Sequence, residues 1–153
     1  AWAVAGGIGT VWVQPHWSGG THLLAGTNGD YGVTSLGNAS ADGNCRASWH
    51  VPTDFTTLSK AVLVAHPVES GNVVWTCNTD FAAHGEAHQA NSDTIGNTTT
   101  STTGQQVLAL DISDAFTGLA AGDYCGMNFT RKGSDGSDSI TSFLVLGILF
   151  EYR

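Results

Sequence analysis

Charged residues are scarce in this sequence. Asp, Glu, Lys and Arg make up 12% of the 153 residues, about half of the ~25% that is usual in globular proteins. Five Lys and Arg stand against thirteen Asp and Glu, which gives a formal net charge of -8. Nucleic acids are bound by clustered basic residues that displace counterions from phosphates, and anionic membranes attract basic segments. The shortage of basic residues therefore argues against both kinds of partner.

Long hydrophobic runs are also missing. The longest, Phe143 to Phe150, falls well short of the ~20 apolar residues that span a bilayer, and its length is typical of a buried strand. The opening residues Ala1-Trp-Ala-Val4 lack the basic and apolar segments of a signal peptide. We therefore expect neither a membrane span nor a secretory leader in this sequence.

Cysteine is limited to Cys45, Cys77 and Cys125, which cannot all pair within one chain. Cys125 alternates with Met127 and Phe129, a pattern typical of a strand that faces the core. A buried thiol is therefore favoured over a disulfide framework, although the sequence leaves the disulfide state of the three cysteines open.

Glycine is abundant and unevenly distributed. Residues 1–44 hold half of the 20 glycines and three of the five tryptophans. Their apolar residues come in short bursts between Gly-rich turns, which predicts an extended arm or a few edge strands. We assign residues 1–45 to an N-terminal arm that attaches to other subunits, and residues 46–153 to a compact domain.

From Arg46 onward, apolar and polar residues alternate along regular segments. The spacing of these segments is typical of an all-β sandwich or barrel. The Thr-rich run Thr98–Thr103 predicts an exposed strand, and Ser113–Ala120 predicts one short helix with Ser113 as its N-cap. The other strands are predicted at Lys60–Pro67, Asn72–Thr79, Val107–Ile112, Asp123–Arg131 and Phe143–Tyr152, with a shorter segment around Gly85–Gln89.

The second half of the sequence also contains a set of short structural motifs. They are Trp49 with Pro52-Thr-Asp-Phe55, Trp75 with Gly85-Glu86, the Ala121-Gly-Asp123 strand start, and the final Gly147-x-x-Phe-x-Tyr152. This pattern resembles a module of structural proteins from tailed bacteriophages and related viruses. The resemblance covers about residues 46–153, roughly two-thirds of the chain.

The resemblance implies an eight-stranded jelly-roll β-sandwich in a virion, usually as a homotrimer. On this basis we expect a non-enzymatic virion structural protein at the capsid or tail surface, such as a capsid decoration (cement) protein that stabilises neighbouring subunits. Its partners would be copies of itself and other virion structural proteins, namely major capsid or tail proteins. No cofactor is expected.

The aromatic residues of the arm are the candidate attachment residues: Trp2, Trp12, Trp17 and Tyr31. Tryptophan is enriched at protein interfaces, which favours docking of the arm onto a neighbouring subunit. Aromatic faces also bind apolar surfaces while their edges stay hydrated. The alternative function is therefore a carbohydrate-binding, receptor-recognising module of a tail fibre or a secreted protein.

Two clusters contain metal-ligating residue types. In a strand, His84, Glu86 and His88 would project from one face and could share a Zn²⁺, whereas the alternative is a solvated strand face. The loop with Asp135 and Asp138 is rich in oxygen ligands but lacks the distal Glu of an EF-hand loop, so a turn is favoured. We predict no metal at either cluster.

No catalytic motif is visible in the sequence. It contains no Gly-x-Ser-x-Gly, no local Cys/His signature and no phosphate-binding glycine loop. Asp80, Glu86 and Asp93 supply carboxylates for glycoside hydrolysis, but nothing in the sequence pairs two of them. We therefore assign no catalytic residue.

Overall fold

The computed structural model describes residues 7–20, 26–28, 31–36 and 40–153, with the backbone alone at 17–20 and 26–28. This part of the chain forms eleven β-strands and one 3₁₀ helix, Ser113–Phe116. The strands are β1 Gly9–Val13, β2 His16–Gly20, β3 Gly26–Asn28, β4 Tyr31–Leu36, β5 Asp42–His50, β6 Leu58–Pro67, β7 Gly71–Ala82, β8 Asn91–Thr102, β9 Leu108–Asp111, β10 Tyr124–Lys132 and β11 Phe143–Tyr152.

The strands form two antiparallel sheets that pack face to face. Sheet 1 has the order β3-β4-β11-β6-β9, and β1 also pairs with β11. Sheet 2 has the order β2-β5-β10-β7-β8. β6 pairs with one edge of β11. The other edge of β11 pairs with β4 at residues 143–145 and with β1 at residues 148–152, so β4 and β1 lie end to end along it. The all-β sandwich predicted from the sequence is confirmed.

The core lies between the sheets and follows from the alternation along each strand. Val73 and Cys77 are fully buried and Trp75 nearly so, while the intervening polar side chains face outward, as predicted. Phe129 of sheet 2 stacks between Trp75, with ring centroids 5.5 Å apart, and Phe143 of sheet 1, at 6.1 Å. Burial of one such side chain contributes about 1.5–3 kcal/mol to folding, so these rings help to hold the two sheets together.

Two of the strand predictions are confirmed in their position within the sheets. The apolar run at Phe143–Tyr152 is a central strand, β11. The Thr-rich run belongs to β8, which is exposed at the edge of sheet 2.

The described residues form eleven strands where eight were expected: four strands, β1 to β4, precede Asp42, and seven, β5 to β11, follow from it. The described strands before Asp42 add to both sheets: β2 is an edge strand of sheet 2, while β4 lies between β3 and β11 in sheet 1. Val13 and Leu36 belong to the common core. The arm and the domain therefore share hydrogen bonds and apolar contacts. The division at residues 45 and 46 stays a prediction.

The helix predicted at Ser113–Ala120 is wrong in type and length. Only Ser113–Phe116 is helical, as a 3₁₀ helix, and it has no side-chain N-cap. The Ser113 hydroxyl instead accepts a hydrogen bond from the Ala61 amide (2.9 Å) and donates one to the Ala61 carbonyl (3.3 Å). The N-cap position is occupied by Ile112, so Ser113 is the first residue of the helix and not its cap. Gly118, at φ +86°, then turns the chain away.

Cys45, Cys77 and Cys125 are free thiols in the core of sheet 2. Burial raises the pKa of each thiol to about 12, since a thiolate is poorly solvated in apolar surroundings. The prediction of a buried Cys125 thiol is confirmed.

The described residues include no helix of the length and hydrophobicity needed to cross a membrane.

Candidate functional site

The outer face of sheet 2 gathers polar side chains from three neighbouring strands. On β5, β7 and β10 the residues that do not point into the core point to this face. The register brings them into rows across the sheet: Tyr124 lies between His50 and Ala82, Gly126 between Ser48 and Asp80, and Asn128 between Arg46 and Asn78.

A continuous groove runs over these rows. One depression of about 500 Å³ is lined by residues that include His50, Tyr124 and His88. A second, of about 340 Å³, is lined mainly by polar groups that include Arg46 and Asn128. The two depressions have their central lining residues in common: Ser48, Asp80 and Gly126. We call this continuous depression the groove; its size is within the ~300–1,000 Å³ typical of small-molecule sites.

Gly126 forms the floor of the groove. A Cβ atom at this position would lie 3.9 Å from the Asp80 carbonyl oxygen and 4.0 Å from the Ser48 hydroxyl, which are ordinary contact distances. The backbone there is not left-handed, so the fold does not require glycine. Glycine inside a strand costs about 0.5–1 kcal/mol relative to alanine and often marks a site where a ligand approaches the backbone closely. The consequence of Gly126 is an open floor between two polar walls.

An aromatic pair closes one end of the groove. Tyr124 is 59% exposed, and its ring lies 5.0 Å from the His50 ring, at an interplanar angle of 54°. On the far side of Tyr124 a smaller depression of about 270 Å³ is lined by the turn with His84, Glu86 and His88. Tyr124 therefore presents an apolar ring face at one end of the groove, whose other end is lined mainly by polar groups.

The polar groups of the groove keep much of their hydrogen-bonding capacity free for a ligand. The Asp80 carboxylate accepts one long hydrogen bond from Gln89 Nε2, at 3.4 Å. The Asn128 side-chain oxygen accepts one from Asn44 Nδ2, at 3.3 Å. A carboxylate has about four acceptor positions and an amide both donors and acceptors, so this surface can accept and donate hydrogen bonds in neighbouring positions.

The candidate attachment residues are not gathered into one cluster in the described part of the chain. Trp12 is 49% exposed on β1 of sheet 1, and its indole lies over Gly147, where a Cβ would be 2.2 Å from the ring. Trp17 is on β2 of sheet 2, opposite Cys45. Tyr31 begins β4 and is 52% exposed, and Trp2 lies outside the described residues. Their role in attachment stays a prediction.

The strand predicted around Gly85–Gln89 is wrong, because residues 83–90 form turns. Gly85 has a left-handed φ of +88°, and the Glu86 carboxylate accepts a hydrogen bond from the Ala83 amide, at 3.0 Å. His84, Glu86 and His88 therefore do not share a strand face. Among the described residues, no group of three His, Cys, Asp or Glu side chains is placed to hold a metal ion.

The loop with Asp135 and Asp138 is a turn, as predicted. The Asp135 carboxylate accepts a hydrogen bond from the Ser137 amide, at 2.9 Å. Asp138 forms a buried ion pair with Arg131, with 2.7 Å between Asp138 Oδ1 and Arg131 Nη2. Its carboxylate is therefore committed to a structural contact.

Sequence reasoning missed most of the groove. Arg46, Ser48, Tyr124 and Asn128 were not singled out, and Asp80 appeared only as one of three unpaired carboxylates. The available signal was the alternation itself. On β5, β7 and β10 the polar residues that alternate with core residues mark this face.

No family model matches the sequence, and no curated protein does. Some solved structures are similar in fold. TmCBM61 in complex with β-1,4-galactotriose is 11% identical, with 93% of this chain and 88% of that chain covered and a TM-score of 0.43. The family 11 carbohydrate-binding module from Clostridium thermocellum, in complex with a β-1,3-1,4-mixed-linked tetrasaccharide, is 11% identical, with 96% and 91% covered and a TM-score of 0.44.

A third similar structure is the enzymatically active domain of bacteriophage CBA120 tailspike protein 4, at 9% identity and a TM-score of 0.44. That match covers 96% of this chain but 19% of the tailspike chain. At such identities these similarities concern the fold alone.

Proposed function

We propose that this protein is a carbohydrate-binding module whose binding site is the groove on the outer face of sheet 2. The observation that carries the proposal is the combination around Gly126 of an open floor, an exposed aromatic ring at one end, and carboxylate, hydroxyl and amide side chains on both walls.

The chemistry of a sugar fits this combination. A sugar ring has apolar C–H faces, which can pack on an aromatic ring such as Tyr124, and a rim of hydroxyl groups that both donate and accept hydrogen bonds. The Asp80 carboxylate can accept from hydroxyls, and the amides of Asn78 and Asn128 can do both. Apolar and polar recognition are therefore available within one groove.

The groove is held rigidly by its strands. Its wall and floor residues alternate along β5, β7 and β10 with core residues, such as Cys77 and Met127, that are almost fully buried. A site on strands keeps its geometry better than a site on loops. A rigid site also loses less conformational entropy when a ligand binds.

The proposal favours the alternative interpretation of the sequence, a carbohydrate-binding module, over the attachment protein. Within the described part of the chain, Asp80 is the only carboxylate lining the groove, whereas glycoside hydrolysis uses a pair; we therefore propose binding without catalysis. The location in a virion, the homotrimer and the contacts with other virion proteins remain proposals, and a sugar-binding module is compatible with them.

The test is to fill the groove without damaging the fold. In Gly126→Val, the new side chain occupies the floor between Asp80 and Ser48, and a β-branched residue favours the strand. We expect at least a tenfold loss of affinity for the glycan that an array of neutral and acidic glycans identifies, with unchanged or higher thermal stability.

Gly96→Val is the matched control. Gly96 is a strand glycine on β8, where a Cβ would meet nothing within 4 Å, and it does not line the groove. Binding should be unchanged in this variant. Full binding by Gly126→Val, or no glycan bound by the wild-type protein, would overturn the proposal.

A further inference from the structure

We propose that the groove recognises an acidic sugar, a uronic acid residue of a polysaccharide, and that Arg46 binds its carboxylate. This inference rests on the proposed function and adds the class of ligand. It starts from the position of one cation in a chain that has few.

Arg46 is exposed on β5 beside hydrogen-bonding groups of the neighbouring strands. Its neighbours in the row across the sheet are His16 on β2, Asn128 on β10 and, beyond it, Asn78 on β7. The ion pairs within the described residues are Arg131 with Asp138 and Lys132 with Asp42. Arg46 is in neither, so its guanidinium is available to an anion from outside the chain.

The geometry of the guanidinium fits a carboxylate. Its planar N–H groups match the two oxygens of a carboxylate and can bind both at once. The amides of Asn128 and Asn78 border the same depression and can donate to the acceptor positions of those oxygens that the guanidinium leaves unused. A neutral sugar would leave the cation without an anionic partner.

Asp80 and Arg46 lie on opposite sides of the groove. They belong to β7 and β5, the two neighbours of β10, and two strand spacings of ~4.8 Å put these strands about 10 Å apart. No ion pair joins the two side chains, both of which the structure describes. A hydroxy acid on the Gly126 floor can therefore donate its hydroxyls to Asp80 while Arg46 donates to its carboxylate.

The negative net charge of the protein opposes nonspecific binding of an acidic polymer. At a formal charge of -8, the field of the whole protein repels a polyanion. Binding of an acidic polymer cannot then be general attraction to a basic surface and must come from local contacts. Of the described residues that line the groove, Arg46 is the one arginine or lysine.

The experiment compares Arg46→Gln with Lys60→Gln. Each substitution changes the formal net charge from -8 to -9, but Lys60 is exposed on β6 of sheet 1, away from the groove. Calorimetric titration would use polygalacturonate, its methyl ester, neutral galactan and dextran sulfate. Circular dichroism would check that both variants are folded.

We expect the wild-type protein to bind polygalacturonate at least tenfold more tightly than the methyl ester, which has lost the charge. Arg46→Gln should remove that difference, about a tenfold or greater loss on polygalacturonate alone, since hydrogen bonds to ionised groups are about twice as strong as neutral ones. Lys60→Gln should bind as the wild type does, and dextran sulfate should bind weakly.

The failures of the two proposals can be told apart. Equal binding of acid, ester and neutral galactan, unchanged in Arg46→Gln but lost in Gly126→Val, would overturn the acidic ligand and leave the carbohydrate-binding function standing. Dextran sulfate bound as tightly as polygalacturonate would overturn the assignment of a carboxylate. Binding of polygalacturonate that is lost equally in Arg46→Gln and Lys60→Gln would show that net charge, not Arg46, is responsible.

Discussion

Replacing Asp138 with alanine is expected to destabilise the protein by about 3–5 kcal/mol, because it leaves the Arg131 guanidinium charged and buried without its partner. Both side chains are almost completely inaccessible to solvent, at 0% and 1% exposure. Arg131 Nη2 and Nε donate to the two carboxylate oxygens of Asp138, at 2.7 and 3.2 Å. The substitution therefore removes a buried, bidentate ion pair.

The rest of the network shows why the cation cannot simply move away. Arg131 Nη1 donates to the carbonyl oxygens of Leu36 and Thr141, at 3.1 and 3.2 Å, and Nη2 donates to that of Ile140. All five donors of the guanidinium are thereby used. Asp138 also accepts from the Val74 amide, at 3.0 Å. One substitution thus disturbs contacts that reach β4, β7 and the segment before β11.

The size of this effect is large against the ~5–15 kcal/mol that stabilises a typical domain, so urea denaturation should resolve it readily. The second ion pair is the control. Lys132 and Asp42 are about one-third exposed, at 32% and 33%, and an exposed pair contributes about 0–1 kcal/mol. Lys132→Ala should therefore shift the midpoint little, and in this variant Asp42 keeps its hydrogen bonds from the Ser134 amide and hydroxyl. If Asp138→Ala costs no more than Lys132→Ala, the burial argument is wrong.

Three further predictions concern thiols, acid and the N-terminal strands. The native thiols of the folded protein should not react with iodoacetamide at pH 8 until urea unfolds it, because burial raises the pKa of each to about 12; rapid labelling of the native state would contradict this. Backbone hydrogen bonds from Thr117 and Thr94 hold the pKa of Asp93 below its usual value. A lowered pKa gives stability that is present above the unfolded-state pKa of ~3.9 and lost as pH falls through the folded-state value. The melting temperatures of Asp93→Asn and wild type should therefore converge towards pH 2, and a gap that persists there would argue against the carboxylate. Deletion of residues 1–41 should lower stability and promote aggregation, measured by denaturation and light scattering, because it unpairs one edge of β11; a stable, monomeric fragment would instead support an independent domain from about residue 46.

The strands after Arg46 could be predicted because the order of apolar and polar residues along each strand follows which side faces the core. Alternation along β7 and β10 separates core from surface, and the same phase places Arg131 with Cys125, Met127 and Phe129 on the inner face. A charged residue in that phase was a sign of a buried partner. Its identity, Asp138, depends on how the following turn folds back, which a local pattern does not encode.

The two failed predictions have different physical causes. The helix at Ser113 and the strand around Gly85–Gln89 were assigned from local residue preference alone. In the fold, the Ser113 hydroxyl binds β6, 52 residues away in sequence, and Gly85 takes a left-handed turn. At Ser113 a contact with a distant strand outweighs the weak preference of a short segment for helix, whereas at Gly85 a local turn, closed by the hydrogen bond between Ala83 and Glu86, replaces the strand.

The groove also depends on contacts between segments that are distant in the sequence. Arg46, Asp80 and Gly126 come from segments separated by more than 30 residues each, so only the register of three strands makes them neighbours. Alternation predicts that all three face outward, but not that they lie beside each other. Gly126 still carries a signal within the sequence: it interrupts the outer face of a regular strand, costs stability, and relieves no strain or close contact inside the protein. A glycine that the fold does not need, at the centre of a polar sheet face, is best explained by the space that it leaves for a ligand.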